Sequence, residues 1–112
     1  MLSKRAGQFV GTAATLAEAA SRFKSDLDKE ATVAKSDKDA AKKDLDALIK
    51  QADVVKSRTR DGNPATTEAR QIVEHVAKLQ TFVGAHTISV TTNWQAVQES
   101  FGKLQQAFGL TQ

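Results

Sequence analysis

The residues of this chain that are best suited to metal chemistry are its two histidines, His75 and His86, and the acidic residues near them. A di-iron site in a helical bundle requires Glu-x-x-His motifs on two helices, because this spacing places both ligands on one helix face. The third residue after Glu68 is Gln71, and the third residue after Glu74 is an alanine. The motif is therefore absent, and we predict no metal ligand in this chain.

Haem and other cofactor sites are not predicted either. A b-type haem needs a histidine together with a methionine or a second histidine inside the bundle, and the single methionine is Met1. The chain has no cysteine, which excludes thiol redox chemistry, cysteine-ligated zinc and covalent haem attachment. His75 lies one position before Val76, at the edge of an apolar stripe, which is typical of a partly covered flank residue. We therefore predict no cofactor.

Nucleophilic catalysis has no recognisable pattern in the sequence. Several hydroxyl residues fall at expected helix ends, among them Ser36, Thr66 and Ser89, where hydroxyl groups are favoured because they bond to free backbone amides. The chain contains no Gly-x-Ser-x-Gly motif, no glycine loop of the phosphate-binding type and no zinc-protease helix motif. We predict that the protein is not an enzyme and that it has no catalytic residues.

The helices that would position any site are indicated by four apolar stripes with helical spacing. Residues three and four apart share a helix face, and this spacing predicts helices over about 3–30, 37–60, 64–83 and 90–109. The 112 residues fit one domain, residues 1–112, and the short connections predict an all-α, antiparallel up-down-up-down four-helix bundle. The last helix has the heaviest stripe, which consists of Trp94, Val97, Phe101, Leu104 and Phe108.

Polar and glycine residues between the stripes predict where the helices end. Ser36 followed by Asp39 predicts a capping box at the start of the second helix. Gly62 is expected to end that helix in a left-handed conformation. Asn63 is then expected to cap the third helix, with Pro64 at its first position, where a missing N–H is not needed.

The first twenty residues have the outline of a secretory signal, with a basic start and an Ala17-Glu18-Ala19 site. Gly7, Gln8 and Gly11 interrupt the apolar middle that such a signal requires, so we predict a first helix here. No run approaches the roughly 20 apolar residues of a transmembrane helix, and we predict none.

A weakly charged surface on the last helix indicates one non-catalytic function. The side opposite its apolar stripe is rich in glutamine, and the cores of protein interfaces are depleted in charged residues. We therefore predict a structural or protein-interaction module whose partner is another protein or a second copy of the chain. The same face could instead pack inside the bundle. The candidate partner surface comprises Gln95, Gln98, Gln105 and Gln106.

Basic residues indicate an alternative function. The formal net charge is +3 and the pI is about 9.3, which allows a surface-active or polyanion-binding bundle that takes lipid, polymer or nucleic acid. Aspartates interleave with these cations, and no aromatic residue lies among them for base stacking, so the nucleic-acid signal is weak. The candidate polyanion patch comprises Lys50, Lys56, Arg58, Arg60 and Arg70.

The second half of the chain resembles uncharacterised secreted or periplasmic bacterial four-helix proteins. In their pattern an apolar helix ends near a Phe, and a short corner leads to a Trp that opens a last helix ending in Leu-x-x-x-Phe. The corner here, with Ile88 where Leu is usual, predicts a hydrophobic staple over the last helix. The resemblance implies an extracytoplasmic domain of unassigned activity and carries no catalytic residue. The matching residues are Ala69, Ile72, Leu79, Phe82, Ile88, Ser89, Trp94, Val97, Leu104 and Phe108.

Overall fold

The chain folds into four α-helices in a computed structural model that describes residues 4–30, 33–63, 65–86 and 91–108, with side chains from residue 10 to residue 107. The helices are α1 (Lys4–Asp28), α2 (Lys35–Arg60), α3 (Thr66–Ala85) and α4 (Thr92–Phe108). These described ranges contain no strand. None of their helices is long and apolar enough to cross a membrane.

The four helices form a ring around one core. α1 packs against α2 and α4, and α2 packs against α3, whereas the α3–α4 contact is the smallest of the four. Within the described ranges neither diagonal pair, α1 with α3 or α2 with α4, is in contact. The bundle measures 50 × 24 × 19 Å along its principal axes. The predicted all-α four-helix bundle is confirmed.

The described members of the predicted apolar stripes form this core, and the side chain of Phe108 lies outside the described residues. Phe23 of α1 packs against Trp94 of α4 with ring centroids 5.3 Å apart, a separation at which aromatic pairs attract one another. Burying each large apolar side chain stabilises the fold by roughly 1.5–3 kcal/mol, so the stripes determine which helix faces meet. Buried members include Leu16, Phe23, Leu27, Leu45, Leu48, Val55, Ile72, Val76, Leu79, Trp94, Val97, Phe101 and Leu104.

Ion pairs show the direction in which neighbouring helices run. Lys24 of α1 pairs with Asp46 of α2, and Asp28, further along α1, pairs with Lys42, which is earlier in α2. The two helices are therefore antiparallel. The contacts between α2 and α3 follow the same rule, so these two helices are also antiparallel; the pairs are Arg58–Glu68, Asp44–His75 and Asp37–His86. The complete up-down-up-down order stays a prediction.

Gly62 ends α2 as predicted. Its φ of 80° lies in the left-handed region, which glycine adopts without the steric cost that a Cβ imposes. The Gly62 N–H donates to the Thr59 carbonyl at 3.1 Å, and the Asn63 N–H donates to the Arg58 carbonyl at 2.7 Å. These two bonds are the Schellman closure of a helix C-terminus.

The predicted capping box at the start of α2 is wrong. The helix begins at Lys35. Its N-cap residue is Ala34, which has an extended backbone and makes no capping hydrogen bond with its side chain. Ser36 therefore lies inside the first turn and cannot act as the cap. The carboxylate of Asp37 also lies in this first turn, where negative charge interacts favourably with the helix dipole.

The predicted cap of α3 is also wrong. α3 begins at Thr66 after Ala65, again without a side-chain cap, and the Asn63 N–H instead takes part in the closure of α2. α3 and α4 begin two residues after the predicted positions, and α3 ends two residues later than predicted. Pro64 and the predicted Ile88–Ser89 staple lie outside the described residues.

Candidate functional site

Both histidines lie on the flank of α3 that faces α2. His75 Nδ1 is 3.2 Å from Asp44 Oδ1, and His86 Nε2 is 3.2 Å from Asp37 Oδ2. The histidines are about three helical turns apart and the aspartates about two, so the two pairs follow one another along the antiparallel interface. His75 is half-buried on the flank, as its position beside the apolar stripe predicts.

The second of these pairs joins two helix ends. His86 is the C-cap residue of α3, and its Nδ1 is 2.9 Å from the carbonyl oxygen of Phe82. The imidazole also lies against the Phe82 ring, with centroids 4.6 Å apart. The Phe82 carbonyl and, after it, the Asp37 carboxylate raise the pKa of His86 above its usual 6.5, because both accept hydrogen bonds from the charged ring.

Between α1 and α2 the acidic side chains are matched by lysines. Lys42 donates a hydrogen bond to Asp28, which lowers the pKa of the Asp28 carboxyl and raises the pKa of the Lys42 ammonium group. Lys24 Nζ is 2.7 Å from Asp46 Oδ1. Across the described residues no three His, Asp or Glu side chains converge on a point that could hold a metal ion. The polar contacts found here join helices to one another.

The five cations of the predicted polyanion patch do not share one surface. Arg58 and Arg60 are two positions apart on α2, so they lie on opposite flanks of the helix. Arg58 Nε is 3.8 Å from Glu68, and Arg60 Nε is 3.9 Å from Asp61. Lys50 lies on the outer face of α2, Lys56 is half-buried, and Arg70 is exposed on α3.

A shallow depression on α2 lies beside two of these cations. Lys50 and Arg58 line it together with the carboxylates of Asp46 and Asp53. An anion in this depression would meet negative charge as well as positive charge, which reduces the attraction that phosphate binding requires.

The glutamines of α4 form a continuous surface. Gln95, Gln98 and Gln106 are exposed, whereas Gln105 is half-buried. At 100° per residue they occupy an arc of about 100° on the helix, with Gly102 between them. The predicted partner surface is therefore brought together by the helix itself.

The orientation of α4 directs part of this arc toward α3. Asn93 donates a hydrogen bond at 2.8 Å to Asp26 of α1, and buried Ser100 shares that flank. Gln98 and Gln105 lie on the opposite flank of α4. Because α4 contacts only α1 and α3 among the described helices, that opposite flank is the one nearest α3.

The flank of α3 nearest α4 is uncharged as well. It lies roughly opposite the flank through which His75 and His86 contact α2. Together the two flanks form a surface of uncharged residues, bordered by Arg70 of α3 and Glu99 of α4, which we call the α3–α4 face. Its members are Val73, Ala77, Gln80 and Gly84 of α3, and Gln95, Gln98, Gly102, Gln105 and Gln106 of α4.

Comparison with protein-family models, curated proteins and solved structures found no match to this chain. The resemblance to secreted or periplasmic bacterial proteins therefore stays a prediction, and the geometry of the chain itself carries the functional argument.

The interhelical partners of the histidines were not identified from the sequence. A signal was present, because spacings of seven and of eleven residues both return to nearly the same helix face, which places Asp37 and Asp44 on one face of α2 and the two histidines on one face of α3. An antiparallel helix pair brings such rows together. Only the register of that pair, which the core sets, determines which aspartate meets which histidine.

Proposed function

We propose that this domain is a non-catalytic protein-interaction module that binds another protein chain, or a second copy of itself, through the α3–α4 face. The supporting observation is the uneven distribution of charge around the bundle. Ion pairs and histidine–aspartate contacts cross the α1–α2 and α2–α3 junctions, whereas among the described residues no such contact joins α3 to α4.

The chemistry of the α3–α4 face suits protein binding. Glutamine amides both donate and accept hydrogen bonds, and burying them in a complex costs less than burying charged groups. Small residues such as Ala77, Gly84 and Gly102 allow a partner backbone to approach closely. The small α3–α4 contact leaves these two flanks accessible together.

The first test places charge on this face. Changing both Gln98→Glu and Gln105→Glu lowers the net charge by two, and Lys103→Glu, on the exposed side of α4 nearer α1, changes it by the same amount. We expect the double variant to lose a partner captured by the parent protein, or to dissociate a dimer seen in sedimentation equilibrium. Lys103→Glu should retain both. A strict monomer with unaltered capture in all three proteins would overturn the proposal.

The alternative function, binding of a polyanion or an anionic surface, is favoured by the formal net charge of +3 and the pI of about 9.3. The five candidate cations are spread over α2 and α3, and Asp46 and Asp53 lie beside two of them. Such binding should give retention on heparin that falls steeply with salt, because counterions are released from the polyanion. Absence of retention at low salt would exclude this alternative, whereas salt-sensitive retention lost in Arg60→Gln and Arg70→Gln would favour it over the interaction module.

A further inference from the structure

We propose that His86 and Asp37 form a pH-sensitive clasp that fastens the C-terminal end of α3 to the N-terminal end of α2 when His86 is protonated. The proposal is independent of the partner that the α3–α4 face binds. It concerns a contact between two helices, and both residues belong to the described part of the chain.

The hydrogen-bond geometry requires the charged form of the ring. Nδ1 of His86 faces the Phe82 carbonyl at 2.9 Å and Nε2 faces the Asp37 carboxylate at 3.2 Å. A neutral imidazole has only one N–H, whereas the imidazolium has two. In the neutral form one nitrogen would direct its lone pair at an acceptor, so only protonated His86 satisfies both contacts.

The helix ends favour the same charges. His86 is the C-cap residue of α3, where unpaired carbonyl groups favour a cation. Asp37 lies in the first turn of α2, where unpaired amide groups favour an anion. The ion pair therefore joins two helix termini that each stabilise the charge placed on them.

The other elements near His86 add no competing charge among the described residues. From α2, only Asp37 acts electrostatically on the ring. α3 has no charged residue after Lys78, and the first turn of α4 is uncharged. At the C-terminal end of α1, Asp26 accepts a hydrogen bond from Asn93, Asp28 is paired with Lys42, and Glu30 is buried. None of these three carboxylates acts electrostatically on the His86 ring.

The clasp acts where α3 has little other support. α3 has only a small contact with α4, and His86 directly follows Ala85, the last residue of α3. Deprotonation leaves the ring one N–H for two acceptors and removes its charge, which weakens the contact with Asp37 and exposes more of Phe82 and Val83, which are half-buried. The clasp thus couples pH to the position of one end of α3.

The sign of the pH dependence follows from the direction of the pKa shift. The pKa of His86 in the folded protein lies above 6.5, so the stabilisation is complete below the unfolded value of about 6.5. It is lost as the pH rises through the higher folded value. Mild acidity closes the clasp, and mild alkalinity opens it.

The test combines a ring titration with amide hydrogen exchange. We expect His86 to titrate above 6.5 by NMR, and Asp37→Asn to bring its pKa closer to 6.5. Asp39→Asn is the matched control, because Asp39 is exposed on the same helix and acts on Lys42 rather than on His86. It should leave the His86 titration nearly unchanged.

The exchange measurement reports on the end of the helix itself. Protection factors of the amides at Val83, Gly84 and Ala85, corrected for intrinsic exchange, should fall several-fold between about pH 5.5 and 8.5 in the parent protein. In His86→Gln they should vary little over this range. The proposal is overturned if parent His86 titrates at or below 6.5, if the two aspartate variants shift it equally, or if parent and His86→Gln protection change alike.

Discussion

Phe23 joins α1 to α4 through its ring contact with Trp94. It is fully buried and lies against Trp94, the only tryptophan of the chain. Its removal would leave a cavity between α1 and α4 that neither backbone can readily fill. At the scale of single residues, the fold is therefore sensitive to a loss of side-chain volume at this contact.

Phe23→Ala is expected to reduce the free energy of unfolding by about 3–5 kcal/mol, because a large buried ring is replaced by a cavity. Chemical denaturation followed by circular dichroism measures this loss. Arg22→Ala is the matched control. Arg22 directly precedes Phe23 and forms an exposed ion pair with Glu18. Loss of an exposed pair costs only about 0–1 kcal/mol. A similar loss in both variants would show that Phe23 does not have the assigned core role.

The scale of the helices shows how far sequence patterns reach. Spacing at three and four positions predicted the stripes of α1 to α4 because burial of apolar area dominates packing. The start of α2 could not be predicted from Ser36, because the helix gains only a modest free energy from any one cap and begins earlier, at Lys35. The α4 glutamines were predicted as a group, but their continuity with Ala77 and Gly84 depends on how α3 is rotated.

Two glycines of these helices should respond in opposite ways to the same substitution. A Cβ added at Gly62 or at Gly102 meets nothing within 4 Å, so backbone conformation alone decides the outcome. Gly62→Ala should destabilise the protein by about 1–2 kcal/mol, because φ is 80° there and L-residues disfavour that region. Gly102→Ala should stabilise it by about 0.5–1 kcal/mol, because alanine is the better helix former. Denaturation midpoints measure both changes in stability. A shift in the same direction for both variants would contradict the prediction.

At the scale of the whole molecule, the four helices do not share contacts equally. α1 and α2 each have two extensive neighbours, whereas α3 and α4 each have one and meet each other only slightly. The same half of the bundle that is less tightly packed carries the uncharged face and ends at the His86 clasp. The uncharged α3–α4 face and the proposed His86 clasp therefore both lie in the half of the bundle that has fewer contacts between helices.

Native-state hydrogen exchange should reveal this difference in packing between the two halves of the bundle. Amides of α1 around Phe23 and of α2 around Leu48 are expected to exchange most slowly, because their opening disrupts contacts with two neighbouring helices. Amides of α3 and α4 should exchange faster at equal pH and denaturant concentration. Uniform protection in all four helices would instead mean that the bundle opens only as a single unit.

The length of the bundle affects how its assembly can be measured. Its longest axis, 50 Å, is more than twice the next, 24 Å, so a monomer tumbles and diffuses more slowly than a sphere of the same 12.1 kDa. In gel filtration such a particle elutes early and resembles a larger assembly. Sedimentation equilibrium depends on mass and not on friction, and it therefore distinguishes a rod-like monomer from a dimer formed through α3 and α4.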